Sequence, residues 1–164
     1  ALKLNGLCDQ FLDFAKPLSL RTSDVCLNEV CRKLIKQHAP EFEAAGIQLK
    51  FRPCRSISTV MADPVRLEMA IRNLMLNSLQ ACSAGEAVVL KAFSNGIEVR
   101  DNGKGMDSET VERLFTPFFT TRPKGTGLGL CTTRKIVEAH GGSIDVRSTP
   151  GNTCFTIWLG EVKA

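Results

Sequence analysis

Asn73 and Asn77 stand four residues apart in an apolar stretch. On a helix that spacing puts both side-chain amides on one face, one turn apart. Asparagine suits a helix interior poorly, because its side chain competes with the backbone for hydrogen bonds, so the shared face calls for a polar partner. A neutral amide carbonyl beside phosphates can ligate a hard cation such as Mg²⁺ without adding repulsive charge, and a solvated polar face is the plain alternative. Further along, DNGKGM sets Asp101 ahead of Gly103 and Gly105. Two glycines this close imply positive φ or a backbone that something approaches closely, although a turn between a strand and a helix would account for them equally well. A second cluster, Lys124-Gly125-Thr126-Gly127-Leu128-Gly129-Leu130, runs directly into a helical pattern. Free N–H groups at a helix start attract anions, and glycines let phosphate oxygens reach the backbone. The cluster is neither GxxxxGK[ST] nor a GxGxxG that follows a strand, which excludes the P-loop and the dinucleotide fingerprint.

Local patterns predict the elements that carry these residues. Leu4, Leu7, Phe11 and Phe14 form a narrow helical stripe ending at Pro17, and Leu27, Val30, Leu34, Ile35 and His38 share a face of a second helix closed by Gly46. His38 reads as a partly buried packing residue. Strands are predicted over 47–51 and 58–61. Asp63-Pro64 then supplies an N-cap and an N1 proline for a helix over 65–82, the one that holds both asparagines. Leu67, Ala70, Ile71, Leu74 and Leu79 supply its apolar wall. Strands over 87–93 and 97–101 flank Asn95-Gly96, a signal for a type I′ hairpin, which places Asp101 at a strand end. A short helix over 108–114 precedes a proline- and threonine-rich loop, 115–124. The glycine cluster opens a helix that ends at His140-Gly141-Gly142, and strands over 143–147 and 153–159 close a last hairpin around Pro150-Gly151.

The chain of 164 residues, 43% hydrophobic with a net charge of +4, has the size and balance of one globular domain. Its acids and bases are interspersed, which suits a nucleotide as well as any polyanion and gives no basic tract for nucleic acid. No apolar run is long enough to span a bilayer and no signal-peptide pattern is present, so the expectation is a cytoplasmic location, or the cytosolic part of a membrane-bound protein. The seven cysteines are scattered, without CxxC pairs, and read as reduced, packed thiols.

Taken in order, these motifs resemble the catalytic ATP-binding domain of sensor histidine kinases, in the GHKL superfamily that also holds gyrase-type and heat-shock-chaperone ATPases. Residues 63–78 look like the N box, DNGKGM like the G1 box, LFTPFFTT at 114–121 like the F box and GTGLGL like the G2 box. The wording of NLMLNSLQA, LFTPFFTT and IVEAHGG is similar to the nitrogen-regulatory type. The resemblance implies an α/β sandwich of the Bergerat type, with a mixed, mostly antiparallel sheet and three helices on one face. It also implies that the nucleotide lies between the N-box helix and a mobile lid over 115–124. It implies ATP and Mg²⁺ as cofactors, with Asp101 accepting from the adenine amine while Gly103 and Gly105 lie against base and sugar. Asn77 would be the metal ligand with Asn73 assisting; Gly127 and Gly129 would cradle phosphates, with Thr126 and Leu128 beside them also binding the nucleotide; and Lys124 and Arg122 would meet the β/γ oxygens. Thr153 would stand near the adenine, although Asn152 occupies a place where glycine is common. Asn73 and Lys124 are the expected catalytic pair.

Sensor kinases phosphorylate a histidine on a dimerisation hairpin, followed closely by an acid, and neither His38 nor His140 has that setting. Residues 1–17 are accordingly expected to be the end of the second hairpin helix and residues 18–164 the catalytic domain. The partners implied are ATP, a histidine-bearing hairpin, and a response regulator downstream, with no nucleic acid. An ATP sensor or scaffold without transfer activity, and a gyrase- or chaperone-like ATPase, are the competing readings.

Overall fold

A computed structural model describes residues 15–56, 59–123 and 125–160. The stripe Leu4 to Phe14, Cys8 and Lys124 lie outside the described residues. The elements run β1 (Ser23–Cys26), α1 (Leu27–Ala44), β2 (Gln48–Arg52), β3 (Thr59–Ala62), α2 (Pro64–Ala81), β4 (Ala87–Phe93), β5 (Gly96–Asp101), α3 (Ser108–Arg113), α4 (Gly129–Ala139), β6 (Ser143–Thr149) and β7 (Asn152–Trp158). Five strands form one sheet in the order β2-β4-β5-β7-β6, while β1 and β3 pair separately. Only β2 and β4 run parallel in the large sheet, because the long connection through β3 and α2 brings the chain back to the same end.

The sheet is one-sided. Val88, Leu90, Ala92, Ile97, Val99, Phe155 and Ile157 are buried on one face, while Lys91, Arg100, Asp145 and Arg147 alternate onto the open face. The covering layer is α1, α2 and α4. Leu27, Val30 and Leu34 of α1 and Leu67, Ile71, Leu74 and Met75 of α2 enter the same core. The expected sandwich is thus what forms. Leu79 only flanks the core, and the fully buried stripe of α2 continues through Ser78 instead.

Asp63 starts α2 as the sequence predicts, its Oδ1 accepting from Arg66 N–H at 3.0 Å. Its Oδ2 takes the Arg21 N–H at 2.8 Å, tying the entering chain to the same helix end. Burial pushes the Asp63 carboxyl up, but the N–H groups of Arg21, Arg66 and Val65 outweigh it and hold the pKa below the usual value. A depressed carboxylate pKa stabilises the fold above the unfolded-state value and loses that contribution as pH falls through the folded one. Asp63→Ala is expected to cost about 0.5–2 kcal/mol at neutral pH, read as a lower denaturant midpoint with unchanged slope, and less in acid.

Two expectations change. The β4–β5 hairpin forms at Ser94-Asn95, with Phe93 opposite Gly96. Among the described residues, neither Asn95 nor Gly96 has positive φ, so the turn is not type I′. Gly96 is needed for another reason: a Cβ there would lie 2.1 Å from Ile157 O on the neighbouring strand. His140 also does more than meet a helix dipole. It is fully buried, with Nδ1 2.7 Å from Ile136 O and Nε2 accepting from Asp63 N–H at 2.9 Å. That pairing requires the neutral tautomer with its proton on Nδ1, and it joins the end of α4 to the start of α2. The six described cysteines are all free, and burial pushes the Cys31 thiol up to about 12.

Candidate functional site

The ends of β5, α2 and the glycine cluster surround one cavity of about 320 Å³. At its back lies Asp101, 2% exposed. Its Oδ2 accepts from Ser78 Oγ at 2.8 Å and its Oδ1 from Gly103 N–H at 3.1 Å. Strand register sets Asp101 in a row with Val88 of β4 and Thr153 of β7, all three buried on the helix-facing side. Thr153 Oγ1 is 2.8 Å from Ser148 Oγ, which also accepts Met106 N–H at 2.9 Å. Burial pushes the Asp101 carboxyl above its usual range, and the Ser78 and Gly103 hydrogen bonds pull the other way. Both oxygens keep lone pairs beyond these bonds, so the carboxylate can accept from a further donor in the cavity.

Gly103 and Gly105 are glycines for a reason within the chain. A Cβ at Gly103 would lie 2.4 Å from Ala81 O, and one at Gly105, whose φ is +74°, 2.4 Å from Thr149 O. The loop after β5 therefore passes between the end of α2 and the β6–β7 turn only as bare backbone. Gly105 lines the cavity; Gly103 supports it from outside.

The opposite wall is the glycine cluster. Thr126, Gly127 and Gly129 line the cavity, and α4 begins at Gly129 with no side chain capping it. Leu128 is 1% exposed, so its side chain anchors the loop in the core while its N–H donates to Thr126 Oγ1 at 3.4 Å. A helix start whose N–H groups have no side-chain cap is suited to an anion.

Asn77 faces the cavity from α2 and Asn73 does not. The Asn73 amide donates to Gly129 O at 3.2 Å and sits 3.4 Å from Thr133 Oγ1, which fixes the spacing of α2 and α4. One helical turn, which puts both asparagines on one face, still rotates them far enough apart for α4 to claim the first. The Asn77 Oδ1 accepts from Arg122 Nη1 at 2.9 Å, and its backbone oxygen from Arg122 Nη2 at 3.2 Å. Arg122 Nη1 also donates to Gln80 Oε1. Hard, neutral oxygens thus converge on a cationic group at this spot, a donor set that suits Mg²⁺ beside phosphates. Among the described residues no three His, Cys, Asp or Glu side chains gather as a metal cage, so phosphate oxygens would have to complete such a site.

Several contributors were not singled out by the sequence reading: Ser78, Gln80, Ser148 and the seat of Arg122 on Asn77. For Ser78 a signal existed, a small hydroxyl four residues after Leu74 on the buried stripe.

The model of the family described as histidine kinase-, DNA gyrase B- and HSP90-like ATPase matches residues 62–163. The chain belongs to this family. A sensor histidine kinase, ZraS of Escherichia coli K12, is 36% identical over 162 residues, covering 96% of this chain and 35% of that protein. The sensory histidine kinase/phosphatase NtrB of Vibrio alginolyticus is 34% identical over 174 residues, covering 96% of the chain and 49% of NtrB. The chain therefore spans about a third to a half of the length of these curated relatives. Among solved structures, the nucleotide-free catalytic domain of the histidine kinase ThkA matches with a TM-score of 0.79 at 26% identity, over 87% of this chain and 97% of that one. Full-length ShkA in complex with AMPPNP matches with a TM-score of 0.87 at 25% identity, over 95% of this chain and 35% of that one. Across the described residues, no helix is long and apolar enough to cross a membrane.

Proposed function

We propose that the chain is the Mg·ATP-binding catalytic domain of a two-component sensor histidine kinase, donating the γ-phosphate to a histidine on a dimerisation hairpin, with a response regulator as the next acceptor. The observation that carries this reading is one cavity with the buried Asp101 carboxylate at its back and the uncapped start of α4 on its opposite wall. A carboxylate acceptor at that depth selects a base with an amine at the six position, as adenine has; guanine carries a carbonyl acceptor there and would leave the carboxylate unpaired. Thr153 and Ser148 extend the polar row beside Asp101. The N–H groups of Gly127 and Gly129 and the charge of Arg122 would receive the phosphates. Asn77 would hold the metal through Oδ1. Held there, a magnesium ion would supply charge neutralisation to the phosphates. Phosphoryl transfer of this kind depends on positioning more than on a protein nucleophile, which suits a site built of backbone, amides and one carboxylate.

Neither histidine of the chain is placed to receive the phosphoryl group. His140 is fully buried with both ring nitrogens engaged. It also ends α4, 11 residues long, and so stands roughly 15–20 Å from the phosphate-receiving end at a rise of about 1.5 Å per residue. His38 packs along α1 with Nδ1 3.4 Å from Glu41 Oε2. Incubated alone with Mg·ATP labelled at the γ position, the chain is expected to form no acid-labile phosphohistidine, and adding a histidine-bearing hairpin is expected to yield label on the hairpin. Label on the chain that disappears with His38→Ala or His140→Ala would refute this account.

A further inference from the structure

Phe119, Thr120, Thr121 and Arg122 line the cavity, and besides the packing of Phe115 on the core and of Arg113 over the Phe119 ring, their segment meets the site at two places. Arg122 donates to Asn77 Oδ1, Asn77 O and Gln80 Oε1, so its guanidinium is shared among three neutral oxygens of α2. Burial pushes its pKa down, as expected for a cation taken from water without a carboxylate among those acceptors. The second place is Phe118, which has φ +64° and is 58% exposed. Left-handed backbone is unfavourable for a residue with a bulky side chain and persists only where neighbouring contacts enforce it. Here the Phe118 N–H donates to Gly127 O at 3.1 Å, and Gly127, at φ +69°, could carry no Cβ because it would lie 2.4 Å from the Phe118 carbonyl carbon. At the site itself the segment is therefore joined by a cation on Asn77 and by a strained junction with the glycine loop.

This inference rests on the assignment of Asn77 as the metal ligand. We propose that Arg122, seated by Gln80, is a latch that competes with the nucleotide's divalent cation for Asn77 Oδ1, so that loading the metal and releasing residues 115–123 are a single event. Two cations cannot share one amide oxygen at contact distance without strong repulsion in a half-buried site. A ligand shifts such an equilibrium only by its preference for one state, and here the preference is built in: the metal fits Asn77 only when Arg122 has left. Linkage makes the effect reciprocal, so weakening the latch tightens the metal. The strain at Phe118 favours departure once Arg122 is displaced. Gln80 lines the cavity beside Arg122, and replacing it weakens the latch while keeping both the guanidinium and Asn77.

Two quantities test this: the Mg²⁺ concentration giving half-maximal ADP binding, and amide exchange of residues 118–122 in the nucleotide-free protein. For Gln80→Ala the Mg²⁺ midpoint is expected to fall about 2–10-fold, the range of one net hydrogen bond, and exchange to accelerate by a similar factor. Arg122→Ala should accelerate exchange further. Arg122→Lys should fall between wild type and alanine, since an ammonium cannot bridge acceptors as a planar guanidinium does. If Gln80→Ala and Arg122→Ala both leave midpoint and exchange unchanged while Asn77→Ala removes the Mg²⁺ dependence, the latch is wrong and the metal assignment stands. Mg²⁺ dependence intact in Asn77→Ala sinks the metal assignment, and the competition with it.

Discussion

Asp101→Asn is expected to weaken ATP and ADP binding by about 1–3 kcal/mol, roughly 5–150-fold, and to erase most of the preference for adenine over guanine nucleotides. The substitution keeps the shape of the side chain but makes one oxygen a donor. Ser78 Oγ and Gly103 N–H, 2.8 and 3.1 Å from the two carboxylate oxygens, compete for the single acceptor that remains. Stability should move less than binding. Burial raises the folded-state pKa of Asp101, so its contribution to stability is greatest below the unfolded-state pKa and is lost as pH rises through the folded one. At neutral pH the ionised carboxylate is therefore a cost to the fold, and relieving it offsets part of what Asp101→Asn loses when Ser78 Oγ and Gly103 N–H are left one acceptor between them. Calorimetry with ATP and GTP reads the first effect and a melt at pH 7 the second. Equal wild-type affinity for ATP and GTP would remove the specificity claim at its root.

Asn77→Ala is expected to lose Mg²⁺-dependent nucleotide binding by at least about 100-fold, and transfer activity with it. Residues one step removed from a metal already cost about 10–100-fold, and a direct ligand should cost no less. The fold should persist, because Asn77 lies off the fully buried stripe of α2 and alanine is the strongest helix former. Unchanged circular dichroism and melting, together with nucleotide binding that no longer responds to Mg²⁺, is the expected pattern. Retained wild-type Mg²⁺ dependence in a folded variant would move the metal elsewhere.

The elements were legible where the signal is local. Asp63-Pro64 marked the start of α2 because an N-cap and an N1 proline act within one turn, and the structure has the cap hydrogen bond there. The 3.6-residue stripes of α1 and α2 reported which face is buried, since that period is a property of the helix itself. The same locality misled at Asn95-Gly96. The dipeptide fits a type I′ turn, but Gly96 is shaped by Ile157 O on the next strand, which the dipeptide cannot encode.

The candidate site divides along the same line. Residue types and order were enough to point to a nucleotide: an acid at a strand end, a glycine-rich helix start, and paired amides on one helix. The sequence by itself also determined that Asp101 would stand at the end of β5, because the strand-forming run stops there and the glycines follow. Only the tertiary structure decided which members meet. Asn73 and Asn77 are equivalent by spacing, yet α4 packs on the first and leaves the second to the cavity. Thr153 joins Asp101 because a one-residue shift between β5 and β7 would have turned it to the open face. Arg122 reaches Asn77 across 45 residues, and His140 reaches Asp63 across 77. Capping, periodicity and turn chemistry act within a few residues and can be read off the chain. Partners so far apart are chosen by how helices and strands close over a common core, where a single rotation of a helix or slip of register exchanges one neighbour for another.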